Sequence, residues 1–171
     1  MNPPGPIAVA AARSALNNVG VREVGRTNSG KFVDQYHKAA GSSPGDPWCM
    51  SFVFFRLWVA AGKPKGYKLP MGFPRTAYTP DGVRWAKEHD LWIPDDQHHC
   101  MVGDLAFFYR QSLGRIGHVG IVVEVRPDGG GWVSIEGNSN DDGSREGYEV
   151  ARLTRNWDSL GVFGGFCRIP F

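Results

Sequence analysis

The chain has 171 residues, 42% of them hydrophobic and 21% charged, which suits one globular domain with a core of its own. A formal charge of +2, with no dense Lys/Arg patch and no interleaved aromatic stripe, argues against a nucleic-acid binder yet permits attraction to an anionic polymer. Three cysteines, Cys49, Cys100 and Cys167, are too few and too scattered for a disulfide framework, and no apolar run reaches the roughly 20 residues that a transmembrane helix requires.

The N-terminus opens with Pro3, Pro4 and Pro6 before an Ala-rich stretch. It has no basic leader, and Arg13 interrupts the apolar run, so no signal peptide is expected and synthesis in the cytoplasm is. Residues 7–18 read as a first helix ending near Gly20. Residues 24–30 read as a loop. Residues 31–40 read as a second helix, with Phe32, Val33 and Tyr36 on one side and Gly41 at its C-terminal stop. A third helix is expected over residues 48–61, because Phe52, Phe55 and Val59, and again Met50, Val53 and Leu57, recur at spacings that suit a 3.6 period. Pro47 stands where a missing N–H costs nothing, and Asp46 before it is the expected N-cap. Residues 62–78 contain three prolines and three glycines and read as an irregular surface segment of the kind that shapes a binding cleft. Thr79 and Pro80 read as the cap and first position of a fourth helix through Glu88 that buries Val83 and Trp85.

From about Asp104 the apolar period changes from helical to two. Residues 105–109, 119–125, 132–136, 149–153 and 162–169 read as strands separated by Gly, Asp, Asn and Ser-rich turns. Helices first and strands afterwards point to an α+β fold, with N-terminal helices on an antiparallel sheet of about five or six strands. No linker, repeat or second domain is visible, so residues 1–171 are expected to form a single domain. Residues 1–20 would be its N-terminal segment and first helix, and residues 21–171 its core.

Two stretches carry the chemistry. Cys49 falls in the first turn of the third helix, where free N–H groups and the positive end of the helix dipole favour a thiolate, although a small buried hydrophobe would also fit there. In the strand that follows Gly117, Val119, Ile121, Val123 and Val125 alternate toward the core, so His118 must face the other way. A turn at 127–131 returns the chain with Val133 and Ile135 inward. Ser134, Glu136 and Asn138 then share the opposite face, with Glu136 and Asn138 within reach of the His118 imidazole. A thiolate nucleophile needs a base, and the base needs a third group to fix its orientation. Cys49, His118 and either Glu136 or Asn138 supply those three roles.

The stretches Pro-Trp-Cys49-Met-Ser-Phe-Val, Val102-Gly-Asp104-Leu, Gly117-His118-Val-Gly-Ile and Ile135-Glu136-Gly-Asn138 together resemble the CHAP family, cysteine, histidine-dependent amidohydrolases and peptidases of papain-like architecture. The resemblance implies a single catalytic domain that hydrolyses an amide of peptidoglycan, as an N-acetylmuramoyl-L-alanine amidase or a peptide endopeptidase. Carried over residue by residue, it makes Cys49 the nucleophile and His118 the general base and acid. Glu136 would orient His118, and Asn138 would support that pair or line the site. The backbone N–H of Cys49 would hold part of the oxyanion. Several relatives carry a side-chain donor just before the cysteine, where this chain has Pro47 and Trp48. The resemblance implies a phage lysin, or an antibacterial toxin, that acts on the cell wall after release or delivery. A cysteine protease or deamidase acting on a protein, and a non-catalytic wall-binding module, are the alternatives. Peptidoglycan is the expected partner, with no nucleic acid, no membrane insertion and a monomeric chain.

Other candidates are weaker. Trp48, Phe73, Tyr78 and Trp92 could line a substrate groove, though such aromatics are more often core or rim. His98-His99-Cys100 resembles a metal tract, but adjacent residues on one loop seldom converge on one ion, so no metal site is expected. Residues 140–144, Asn-Asp-Asp-Gly-Ser, resemble half a calcium loop without its terminal Glu, and read as a solvated turn. Some CHAP relatives bind calcium, so the resemblance allows that ion while requiring no cofactor.

Overall fold

The computed structural model describes residues 2–94, 99–140, 147–157 and 163–171, which contain four α-helices and six strands. Helices α1 (Pro6–Ala15), α2 (Val33–Ala40), α3 (Cys49–Ala60) and α4 (Thr79–Glu88) precede strands β1 (Trp92–Pro94), β2 (Leu105–Arg110), β3 (Arg115–Val125), β4 (Gly131–Ser139), β5 (Glu149–Asn156) and β6 (Phe163–Cys167). The strands form one antiparallel sheet in the order β1-β6-β2-β3-β4-β5. This is the α+β arrangement expected. None of the helices is long and apolar enough to cross a membrane among the described residues.

Helix α3 is the axis of the helical layer. Cys49, Met50, Ser51, Phe52, Val53, Phe54, Arg56 and Leu57 are all buried, because α1 and α2 flank it and the sheet lies beneath. A helix covered on nearly every side needs apolar residues all round, which explains why its sequence offers two overlapping stripes and not one. On α1, the side that meets its neighbours is made of Ala8, Ala11, Ala12 and Ala15, small enough to let helix backbones approach. The two ends of the chain are tied there: the Gly5 amide donates to the Ile169 carbonyl (2.9 Å) and the Ala8 amide to that of Phe171 (2.9 Å).

Several local readings need correction. Asp46 does not cap α3. Trp48 occupies the cap position without a side-chain bond, while the Asp46 carboxylate accepts from the Ser43 amide in the preceding turn (3.0 Å). Thr79 does not cap α4 either: it lies inside the helix, buried, and its hydroxyl donates to the Ile116 carbonyl (2.9 Å), pinning α4 to β3. Phe32 precedes α2 and is exposed, whereas Val33 and Tyr36 are buried as expected, and Gly41 ends the helix in the left-handed conformation (φ 76°). Strand β1 escapes a reading by periodicity because three residues are too short to show one. Residues 62–78 are irregular apart from 3-10 turns at Lys65–Tyr67 and Pro70–Gly72.

The sheet buries apolar side chains on both faces. Leu105, Phe107, Val119, Ile121 and Ile135 pack with the helices, while Ala106, Phe108, Val122, Trp132 and Phe166 form a second cluster with Ile93 and Cys100. A bulge between Val122 and Glu124 breaks the alternation of β3. Beyond it Val125 is exposed, contrary to its expected inward position.

Candidate functional site

Cys49 is the first residue of α3, and His118 lies on β3, where its backbone pairs with Phe108 of β2. Cys49 is 3% exposed and His118 1%, and the two side chains are close enough for each to shift the protonation of the other. The other ring nitrogen, Nε2, bonds the Glu136 carboxylate at 2.8 Å. Nδ1 is therefore the nitrogen left for the thiol. Cys49, His118 and Glu136 thus lie side by side in that order, the last two joined by the hydrogen bond.

Asn138 does not join that chain. It sits near the end of β4 in the left-handed region (φ 55°), and its Oδ1 is buried with no hydrogen-bond partner among the described residues. The choice between Glu136 and Asn138 as the group that holds His118 falls to Glu136.

Glu136 is held from three sides. Ser134 donates its hydroxyl to Oε1 (2.6 Å), and Arg155 of β5 donates Nε to Oε1 (3.0 Å) and Nη2 to Oε2 (2.6 Å). The Arg155 guanidinium also lies over the Phe108 ring, 4.7 Å from its centroid, and Phe108 packs in turn on His118. Two-point contact fixes both oxygens of a carboxylate, so Nε2 of His118 meets an acceptor that cannot swing away. Ser134 is visible in the sequence as a face-mate of Glu136. Arg155 is not, because it lies beyond residue 153, where the sequence reading ends that strand, and opposite Trp132 rather than Glu136.

The electrostatics follow from this geometry. Burial alone would push the Cys49 thiol up, but the hydrogen bond and charge of His118, with amide contacts from Met50 and Val119, outweigh it and hold the thiol below its ordinary value of 9.0. Burial likewise disfavours an imidazolium at His118, but Cys49 and Glu136 on its two sides raise its pKa above the ordinary 6.5. For Glu136, burial is again overcome, by His118 and Arg155, and the carboxyl is held well below the usual carboxylate range. Both shifts favour the charged forms, a thiolate beside an imidazolium, with an ionised carboxylate behind them. The remaining thiols differ. Burial pushes Cys100 up to about 12, and Cys167 is raised as well, so neither is a nucleophile at neutral pH.

Two glycines of the motifs make room for this arrangement. A Cβ on Gly120 would stand 2.5 Å from Cγ of Glu136, and one on Gly137 would stand 2.7 Å from Cβ of Phe52 and 2.8 Å from Trp48. Gly120→Ala is therefore expected to displace the Glu136 side chain and to cost about 2 kcal/mol of stability, read as a lower urea midpoint at unchanged slope. An unchanged midpoint would mean that Glu136 has room to move.

Cys49 opens into a cleft of about 250 Å³ lined also by Asp46, Tyr78, Arg115 and Gly117. Of the four aromatic groove candidates only Tyr78, half exposed, lines it. Trp48 is fully buried against Tyr36, with an indole N–H that has no partner among the described residues. Phe73 packs edge-on against Trp85, and Trp92 packs on Phe107, so both support the core and not the cleft.

Of the His98-His99-Cys100 tract, His98 lies outside the described residues, His99 is exposed and Cys100 belongs to the second apolar cluster. Residues 141–146, which include most of the calcium-loop resemblance, also lie outside the described residues. No group of three or more His, Cys, Asp or Glu side chains able to hold a metal is found among the described residues. Asp104 of the Gly-Asp-Leu motif bonds to neither Cys49 nor His118 among the described residues. It is fully buried in a two-point pair with Arg168, which donates Nε to Oδ1 (3.0 Å) and Nη2 to Oδ2 (2.8 Å), and it also accepts from the Met101 amide (2.8 Å).

No curated protein and no solved structure matches the chain. The family model of the CHAP domain matches residues 41–138, more than half of the chain and the segment that runs from the turn before Cys49 through His118 and Glu136 to Asn138. The chain belongs to the CHAP domain family, hydrolases of the amidase and peptidase type that act on peptidoglycan.

Proposed function

We propose that this chain cleaves an amide bond of peptidoglycan by a thiol mechanism, with Cys49 as nucleophile, His118 as general base and acid, and Glu136 as the group that orients His118. The observation that carries this reading is the placement of Cys49, which lines an open cleft, beside a buried His118 whose ring is hydrogen-bonded to Glu136. The Cys49 thiolate attacks the amide carbonyl carbon, forming a C–S bond and a tetrahedral oxyanion. As the first residue of α3, Cys49 has a backbone N–H without an intrahelical acceptor, which can receive that oxyanion. The proton of the imidazolium passes to the leaving nitrogen as the C–N bond breaks. Water, giving its proton to His118, then attacks the thioester, the C–S bond breaks and a carboxylic acid leaves. A chain of this kind would act on the wall as a phage lysin or as an antibacterial toxin, reaching it by release or delivery from the cytoplasm.

Digestion of purified peptidoglycan, with mass spectrometry of the released fragments, tests the reading. New ends at muramic acid and alanine would make the chain an amidase, and new ends within peptides an endopeptidase. Soluble fragments from neither would turn the proposal toward a protein substrate. The thiolate can be tested separately with iodoacetamide, since the shifted Cys100 and Cys167 leave Cys49 as the reactive thiol. A thiolate paired with an imidazolium exists above the lowered pKa of Cys49 and below the raised pKa of His118. Alkylation of Cys49 should therefore remain fast well below pH 9. Digestion should lose its rate on the acid side as Cys49 takes up a proton, and on the alkaline side, above pH 6.5, as His118 gives one up. Alkylation that rises only near pH 9 would remove the ion pair from the mechanism.

A further inference from the structure

The cleft at Cys49 does not end at Gly117. A second hollow of about 350 Å³, lined by Pro80, Val83, Arg84, Lys87, Glu88 and Ile116, shares one residue with it, Arg115. Arg115 begins β3, three residues before His118, and its guanidinium lies over the Tyr78 ring at 4.7 Å. One terminal nitrogen, Nη1, donates to the Ile116 carbonyl (2.8 Å). The side chain is thereby held between an aromatic face and a backbone oxygen, yet it has no carboxylate partner among the described residues. The two carboxylates that line the hollows, Asp46 and Glu88, form no ion pair with it, and Asp46 is turned to the Ser43 amide. By contrast Arg84, on the wall of the second hollow, is committed to Asp81 (2.7 Å), and Lys87 sits over Trp92 at 5.5 Å. A guanidinium carries five N–H donors in a planar fork that matches a carboxylate. Here the fork is pre-positioned in the same cleft as the nucleophile with most of its donors unspent.

We propose that Arg115, backed by Tyr78, is a carboxylate-binding subsite, so that the substrate of this cleft is an acidic peptide with a free carboxylate close to the bond cut. The proposal deepens the hydrolase reading above and rests on it. Arg115 would neither attack nor move a proton. It would bind the peptide and so decide which amide is presented to Cys49. Peptidoglycan stem peptides carry free carboxylates, and walls differ in how many of these are converted to amides.

The test compares one purified peptidoglycan with the same material after carbodiimide coupling of its carboxylates to ammonia, each digested by the wild type and by Arg115→Met. On untreated wall the variant should lose about 10- to 100-fold in kcat/KM, chiefly through KM, the size expected for a lost charge-assisted contact. On amidated wall the ratio of wild type to variant should fall close to one. Arg115→Lys, which keeps the charge without the fork, should lie between the two on untreated wall. An equal loss on both walls, or no loss on either, would overturn the subsite. Far-ultraviolet circular dichroism and the thermal midpoint keep misfolding apart from lost recognition. If the wild type released no fragments from either wall, the hydrolase reading itself would fall, and the subsite with it. A lost subsite alone leaves wild-type digestion intact.

Discussion

Cys49→Ala is expected to lower wall digestion by at least about a thousandfold while leaving the protein folded, because Cys49 is the thiol that lines the cleft and Ser51, in the same turn, is buried and bonded to Ser42. The substitution deletes one buried atom, Sγ, from a helix whose other contacts stay in place. It also removes one of the two groups that raise the pKa of His118. The imidazole then keeps only Glu136 to favour its charged form, so part of its raised pKa should be lost while its orientation, set through Nε2, survives. Cys49→Ser separates nucleophilicity from shape. A hydroxyl fills the same space but does not ionise beside His118, so that variant should be nearly as inactive as the alanine. Dye release from labelled peptidoglycan measures the rate, and circular dichroism the fold. Digestion within tenfold of wild type by the alanine variant would remove Cys49 as nucleophile.

The parts of the fold legible in the sequence are those where one local rule has no rival. Gly41 ends α2 because a left-handed residue is required there, and the two-residue period of Val119 and Ile121 fixes which side of β3 meets the helices. The positions of His118 and Glu136 on the sheet are therefore readable in the sequence. What stayed hidden depends on register and on side-chain direction. Asp46 followed by Pro47 has the form of a helix start, yet the tight turn at Ser43 takes the carboxylate first. Thr79 has the form of a cap and instead spends its hydroxyl on Ile116, in a strand 37 positions away. Phe73 and Trp92 could equally have faced the cleft or the core, since nothing local distinguishes an aromatic that packs from one that binds. Arg155 is the clearest omission. Its partner lies across a strand pair and along the diagonal, a relation that no spacing along the chain can reveal.

Glu136 is the second position where a large effect is expected, and Glu136→Gln separates its two roles. The amide keeps the volume but loses the charge, so the Arg155 fork and the His118 ring are left facing a neutral and partly mismatched group in a fully buried site. Breaking a buried ion pair by removing one member costs about 3 kcal/mol or more, because the other charge stays desolvated. The sign of the pH dependence follows from the direction of the shift. The folded-state pKa of Glu136 is depressed below 4.5, so its contribution to stability is present above that value and is lost as pH falls through the folded pKa. The gap between wild type and variant in a denaturant titration should therefore be widest near neutrality and should close in acid. Catalysis gives an independent readout. Without the carboxylate, His118 loses one of the two groups that raise its pKa, and the alkaline limb of the digestion profile should move to lower pH while the rate at its maximum falls by about a hundredfold or more. Arg155→Met makes the contrast: Glu136 keeps its bonds to His118 and Ser134, so stability should fall as in the Gln variant while the rate falls only several-fold. Equal rates for Glu136→Gln and wild type, with the alkaline limb in place, would reduce Glu136 to a structural anchor for Arg155. The orienting task would then pass to Asn138, two residues farther along the same strand, whose buried Oδ1 has no partner among the described residues.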